Sequence, residues 1–361
     1  MTLLDLHRAA GATLAQDGIP LHYGDLAAEY QTALHHAIVL DRSHEGRIHL
    51  FGADRQALLN RMSTARLVNM APGEGRVTIF TSPTARILER VSVYNRDDHL
   101  LLITEPGRGP ALLEFLQRHI FFNDKVEPVD VTAQTAQLAL HGPAAAALMA
   151  ELAPALATLP PLYSHSVALP AATFVAARRI TLAGSHWVLL TTTDAAAALY
   201  QAVMQAGHAH GLHPAGSLTY NTLRIRAGYP AGREISQDYL PLEVGLWDAV
   251  SFDKGCYTGQ EIIARMESRQ RIARTLVHLA LTDFVAAPAP VFMAGNAVGT
   301  LTSSVQAPDG AIFALAVLKI AAARPGTALT VGEGGSAAVV SGLPGAQPPY
   351  LTFEAEQDSG S

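Results

Sequence analysis

A single cysteine, Cys256, stands in 361 residues, which excludes an internal disulfide or a stapled secreted scaffold and fits a reducing compartment. No window approaches the roughly 20 apolar residues that a membrane-spanning helix needs, so no membrane association is expected. The opening residues, MTLLDLHRAAGATLAQDG, lack a basic segment followed by a long apolar run, and the chain is read as soluble and cytoplasmic. Charge is sparse: Asp, Glu, Lys and Arg make up 16%, and the net charge of -6 argues against a broad nucleic-acid-binding face. Phosphate loops, dinucleotide fingerprints, H-E-x-x-H pairs and internal repeats are missing, so those chemistries lose their usual support. What is present is a 49% hydrophobic chain, long enough for roughly two or three domains with their own cores.

Residues 3 to 17 and 24 to 38 read as short helices broken by Gly18, Pro20 and Gly24. Arg47 to Phe51 alternates like a strand, Leu58, Leu59 and Met62 give helical spacing over 54 to 67, and Val77 to Phe80 reads as a strand. Arg86 to Tyr94 and His99 to Thr104 form an antiparallel pair around a short Asn-Arg-Asp-Asp turn. Leu138 to Leu140, Ala144 to Leu152, Phe174 to Leu182, Trp187 to Thr192 and Ala195 to Ala206 run strand, helix, strand, strand, helix. That order suggests a ferredoxin-like half with helices on one face of a sheet, and Pro154 to Pro170 reads as a proline-rich connector. Short strands at Leu276 to Leu281, Ala297 to Thr302, Ile312 to Val317, Ala328 to Val331 and Ala337 to Val340 suggest a small barrel. Gln347 to Ser361 read as a disordered tail.

The cysteine lies in Asp253-Lys-Gly-Cys-Tyr-Thr-Gly-Gln-Glu261. Thr258 and Glu261 have the T-x-x-E spacing of a capping box, and Ile262, Ile263 and Met266 follow at apolar helical spacing, which predicts a helix starting near Thr258. Cys256 would then sit just ahead of a helix N-terminus, with Lys254 nearby, a setting that favours thiolate. Gly255 and Gly259 suit positive φ or a closely approaching ligand. The local chemistry is equally consistent with a glycine-rich turn that starts a helix over a small apolar cysteine. Glu261, Arg265 and Arg269 share a helical stripe, and with Arg271 and Arg274 they read either as a solvated face or as an anion site. His208, His210 and His213 have no cysteine or carboxylate beside them and read as a solvated loop rather than a metal site.

Asp253 to Glu261 resembles the K-G-C-Y-x-G-Q-E signature of the YgfZ family, folate-binding proteins related to the glycine-cleavage T protein and linked to iron-sulfur cluster assembly and repair. Tyr239 to Phe252 resembles that family's lead-in, and Ile262 to Ser268 resembles its helix. Asp41-Arg-Ser-His44 resembles the D-x-S-H element shared with the T protein; read locally it is a polar turn whose side chains bond backbone, and nearness in sequence does not make it a triad. Weaker likeness runs from about His22 to Pro344. Four positions depart from the T-protein pattern: Glu89 and Arg90 replace its paired aspartates, Arg226 the glutamate of L-R-x-E-A-G, and Thr104 an asparagine. Beside a guanidinium, the Glu89 carboxyl is expected to fall in pKa, away from the range useful for proton transfer.

The resemblance implies an α+β fold: a T-protein-like folate-binding region over 1–272, made of two antiparallel-sheet subdomains with the ferredoxin-like one at about 137–216, then a C-terminal β-barrel over 273–346. It implies tetrahydrofolate or a derivative in a central cavity, with Cys256 as a functional thiol at or near the mouth. Arg226, Glu243, Lys254, Tyr257, Gln260 and Arg265 are the candidate cofactor-binding residues. The expected function is assistance to iron-sulfur cluster assembly or repair, indirectly supporting tRNA modification, with iron-sulfur proteins or assembly factors as partners and no direct nucleic acid. Cys256 cannot hold a cluster alone and would serve as a transient ligand. The alternative is a folate-dependent aminomethyltransferase or other one-carbon transferase, for which Glu89 is the local carboxylate.

Overall fold

In the computed structural model, which describes residues 1–351, the alternating strands of the first third pair into a five-stranded antiparallel sheet. Its order is Gly75–Thr81, Ile87–Asn95, His99–Pro106, Glu45–Phe51, Glu127–Asp130. One face presents Ile48, Leu50, Val91, Val93, Leu100 and Leu102 to Leu58, Leu59 and Met62 of helix Arg55–Met62 and to Leu112 and Leu116 of helix Gly109–Arg118. The i, i+4 spacing of those helical residues keeps one stripe on the sheet. Each leucine so buried contributes about 1.5–3 kcal/mol.

The second sheet runs Ser164–Ala168, Thr173–Arg178, Ser185–Thr192, Thr135–Gly142, Ala37–Asp41, Leu212–Pro214, antiparallel except for its last pair. Leu148 and Met149 of helix Ala145–Leu152 and Leu199 and Val203 of helix Ala196–Gly207 cover one face, against Leu138, Leu140, Trp187 and Leu189. This is the ferredoxin-like half, with two additions. Ala37–Asp41, buried throughout, arrives from far upstream and is inserted between the first and last strands of the set. Its partners, Thr135–Gly142 and Leu212–Pro214, lie far downstream in sequence, and a local pattern does not register them. Ser164–Ala168 is an edge strand inside the stretch read as a connector, a place where nearby prolines are tolerated because only one side needs donors.

The C-terminal strands close a six-stranded barrel in the order Arg274–Leu281, Ile312–Lys319, Asn296–Gln306, Ala289–Met293, Ala328–Val331, Ser336–Gly342. Ala289–Met293 is absent from the sequence reading because Pro288 and Pro290 disguise it. Pro290 pairs on one side only, and Val291 and Phe292 beyond it pair on both. Of the segment read as a tail, Pro349–Leu351 forms a 3-10 turn with Tyr350 edge-on to Trp247, and residues 352–361 lie outside those described.

The three units meet around one helix, Ser217–Arg226. Tyr94, Leu101 and Ile103 of the first sheet pack on Ala177, Val188 and Leu190 of the second. Leu223 of the helix joins Ile38 and Leu40 of the second sheet to Ala307 of the barrel, and Ile225 joins Ile79 and Ile87 of the first sheet to Leu276, Leu315 and Val317.

Candidate functional site

A charged layer lies beside these apolar contacts. Buried Glu45 accepts from Arg42 Nε at 2.9 Å and from Gln137 Nε2 at 2.6 Å, and pairs with Arg179 at 3.3 Å. Burial alone would raise its pKa, but the two guanidiniums and the amide hold it at about 2. The Arg42 guanidinium covers the Tyr220 ring at 4.0 Å. Arg90 covers Tyr229 at 4.1 Å, pairs with Glu105 at 2.5 Å and donates to the Pro230 carbonyl at 2.7 Å. Arg224 donates to Asn221 Oδ1 at 2.8 Å and pairs with Glu234, which in turn accepts from Ser303 Oγ at 2.7 Å. Arg42, Glu105, Arg108, Tyr220, Asn221 and Arg224 line a cavity of about 360 Å³ between the two sheets, helix Ser217–Arg226 and the segment after it. Helix Ser217–Arg226 delivers Tyr220, Asn221 and Arg224 from one face because they are three and four residues apart.

Glu89 stands one contact behind this lining. Its Oε1 accepts from the Glu105 main-chain N–H at 3.0 Å and its Oε2 from Arg108 Nε at 2.8 Å. The expected depression by Arg90 does not occur: neighbours in a strand point to opposite faces, and Arg90 is spent on Glu105. Burial raises the Glu89 pKa instead, against the pull of its two donors. Thr104 is buried at the next position, its hydroxyl accepting from Gly46 N–H at 3.2 Å and donating to the Glu105 carbonyl at 2.9 Å.

The D-x-S-H element makes no triad. Asp41 pairs with His7 Nε2 at 3.0 Å, Ser43 Oγ accepts from the Gln137 N–H at 3.0 Å, and His44 Nδ1 has no partner among the described residues. Burial and Arg42 push the His44 pKa down to about 4. Behind Tyr220, His141 stacks on His186 at 3.9 Å, and neither His141 nitrogen has a partner among the described residues. Burial, followed by His186, holds the His141 pKa well below the usual imidazole value, and burial followed by Arg179 takes His186 to about 3. In the histidine cluster, His210 meets Glu151 at 2.7 Å.

The cysteine loop is built on main-chain acceptors. Buried Lys254 donates to the carbonyls of Asn60, Ser63 and Ala65 at 2.5, 2.6 and 2.8 Å, capping the end of helix Arg55–Met62, and lies 4.9 Å from the Tyr257 ring centroid. Arg66 pairs with Asp253 at 2.8 Å. Helix Gln260–Ser268 starts two residues later than expected and has no capping box: its N-cap is Gly259 at φ 82°, and the Thr258 carbonyl accepts from Thr81 Oγ1 at 2.5 Å. A Cβ on Gly259 would stand 2.7 Å from the Ser82 carbonyl oxygen, whereas Gly255 has open space around it. Cys256 is exposed.

The structure separates the seven nominated residues from the cavity: none of them lines it. The Lys254 ammonium ties the loop to the end of helix Arg55–Met62, and Cys256 is exposed on that loop. Lys254 and Tyr257 are brought together, Tyr257 in a cluster with Leu242, Trp247 and Ile263. Glu243 is buried under Arg274 at 3.0 Å. Arg226 lies over Phe313 of the barrel at 5.9 Å, because two residues along a helix from Arg224 is the opposite face. Arg265 is exposed and Gln260 half-buried on helix Gln260–Ser268. Sequence reasoning missed Arg42, Arg108, Tyr220 and Arg224; the signal was available in helical phase for Tyr220 and Arg224, and for Arg42 only in its place within D-x-S-H.

Residues 3–254 match the GCVT N-terminal domain. The chain is 31% identical over 354 residues to a chloroplastic protein of Arabidopsis thaliana named as a transferase, covering 96% of this chain and 79% of that one. It is 28% identical over 360 residues to the aminomethyltransferase of Chlorobium chlorochromatii, covering 95% and 96%. The crystal structure of glycine cleavage system aminomethyltransferase T from Bartonella henselae superposes with a TM-score of 0.83 at 22% identity, covering 95% of this chain and 97% of that one, and shares the fold. With a family match over most of its length and the same sheets and barrel, this chain belongs to the GCVT N-terminal domain family of the T-protein superfamily.

Proposed function

We propose that the chain binds tetrahydrofolate or a derivative in the central cavity and acts as a folate-dependent one-carbon transferase of the aminomethyltransferase type. The carrying observation is the cavity itself, with a buried carboxylate one contact behind its wall. At about 360 Å³ it falls in the size range of ligand pockets. Its donor set suits a pterin, whose edge offers both donors and acceptors: the Arg224 and Asn221 side chains can donate, the Glu105 carboxylate can accept, and the Tyr220 ring supplies an aromatic surface. Tetrahydrofolate supplies the nitrogen that accepts a one-carbon unit. Glu89, its pKa raised by burial, is the group suited to hold or pass a proton, and Arg108 orients it.

Calorimetric titration with tetrahydrofolate tests this reading. Wild type is expected to bind, and Arg224→Lys, which keeps a charge opposite Glu234 but loses the planar fork, is expected to bind about tenfold more weakly. An absence of heat with the wild type, or equal affinity in the variant, counts against the site. In a coupled transfer assay, Glu89→Gln should retain binding and lose turnover.

One observation favours a second reading, an assembly or repair factor for iron-sulfur proteins: the lone thiol is exposed on a loop anchored by Lys254 and Gly259, away from the cavity lining. In that reading Cys256→Ala still binds folate but fails to restore iron-sulfur enzymes in cells lacking this protein; full rescue would remove it.

A further inference from the structure

We infer that a small cavity between the two sheets, separate from the central one, binds a small carboxylic acid with an aromatic or branched apolar body. The inference does not depend on the folate reading. Leu101, Val175 and Leu190 belong both to the contact between the sheets and to the wall of this cavity, so the space lies where that contact ends and the sheets part. Its volume is about 200 Å³. Leu101, Phe174 and Leu190 are buried in its lining, and the rings of His49 and His99, stacked at 4.0 Å, add an aromatic wall. An apolar space of about 150 Å³ is enough for a benzene ring. This cavity therefore has room for a ring or a branched chain together with one carboxylate.

The charge comes from Arg96, half-buried in the turn between strands Ile87–Asn95 and His99–Pro106. Its guanidinium donates to Ser164 Oγ at 2.9 Å and to Ser166 Oγ at 2.5 Å, and among the described residues it has no carboxylate partner. Two of its five N–H donors are used, and three remain. No carboxylate lines the cavity, and Asp98 of the same turn meets His99 Nδ1 at 2.6 Å. Burial lowers the Arg96 pKa from the ordinary arginine value, as expected of a cation short of a partner. His49 has no hydrogen-bond partner among the described residues. Burial, followed by His99, holds its pKa at about 4, so at neutral pH it is an uncharged ring with one N–H to offer. Thr173 and Thr192 bring hydroxyls to the exposed rim. This donor set matches a carboxylate, whose oxygens only accept. An inorganic anion would satisfy Arg96 but leave the apolar lining uncovered, and that lining selects the body of the ligand.

The test is calorimetry on the full chain with benzoate, benzamide and inorganic phosphate as separate titrants. Benzoate is expected to bind wild type about tenfold more tightly than either of the others, because only it offers both the charge and the ring. Arg96→Met keeps the bulk of the stem, removes the guanidinium and is expected to weaken benzoate about tenfold. Thr173→Trp, at the exposed rim, fills the cavity and is expected to abolish binding, which keeps the inference testable if Arg96→Met does not fold. No heat with wild type, or benzoate affinity unchanged in the variants, overturns the inference. Benzamide binding as tightly as benzoate overturns it by showing that Arg96 is not read, and phosphate binding as tightly overturns it by showing that the apolar lining is not read. The central cavity also holds guanidiniums, so Arg224→Lys is titrated alongside. Benzoate binding lost in Arg224→Lys and kept in Arg96→Met places the acid in the central cavity and overturns the inference.

Discussion

Lys254 and Cys256 stand two residues apart and do opposite work. Burial, followed by the Arg66 charge, pushes the Lys254 pKa down to about 7, while three carbonyl acceptors each require a proton and favour the ammonium. Lys254→Met leaves those carbonyls, two of them in buried contacts, without their donor and is expected to cost about 2–3 kcal/mol in urea unfolding. Cys256→Ala, at an exposed position, should stay within about 0.5 kcal/mol of wild type. Equal stability of the two variants would show that the lysine is not the anchor. In the sequence Lys254 is merely a charge near a thiol; its role follows from where the end of another helix falls in space.

At the scale of elements, the turn into helix Gln260–Ser268 is decided by one glycine. Gly259 takes φ 82° and is hemmed in by the Ser82 carbonyl oxygen and Ala85, whereas Gly255 faces open space. Gly259→Ala is therefore expected to destabilise by about 2–4 kcal/mol and Gly255→Ala by less than about 1 kcal/mol, read as shifts in denaturant midpoint at constant slope. Equal losses would mean that both glycines serve the turn alike. Periodicity located this helix to within two residues and read its apolar face at Ile262, Ile263 and Met266, all three of which pack into the core behind Trp247 and Tyr257. It misjudged the cap, because the left-handed Gly259 takes the N-cap position and leaves Thr258 outside the helix, its carbonyl accepting from Thr81.

The whole molecule carries its titration between the sheets. His141 and His186 remain neutral in the fold, held there by burial and by the guanidiniums of Arg42 and Arg179, whereas an unfolded imidazole protonates near pH 6.5. Their folded pKa values are depressed, so the unfolded state takes up protons first and stability falls as pH drops below about 6.5 toward 3. Each imidazole steepens the loss by at most about 1.4 kcal/mol per pH unit. His141→Leu, which removes a ring with no hydrogen-bond partner among the described residues, should flatten the pH dependence between 6.5 and 4.5 by about one proton. An unchanged slope would show that His141 titrates normally.

The sequence by itself determined the class of fold and the kinship: alternation marked most of the strands, helical spacing marked the covering faces, and Asp253 to Glu261 with the elements around Asp41 and Leu223 carried the family likeness. These are local patterns, because side-chain period follows directly from backbone geometry. The tertiary structure alone decided that Ala37–Asp41 enters the second sheet, that Arg90 answers Glu105 and not its neighbour, that Arg224 rather than Arg226 reaches the cavity, and that Lys254 anchors the cysteine loop on the end of helix Arg55–Met62. Charge partners are chosen by distance across the fold, and in a strand or helix the residue next in sequence points to another face.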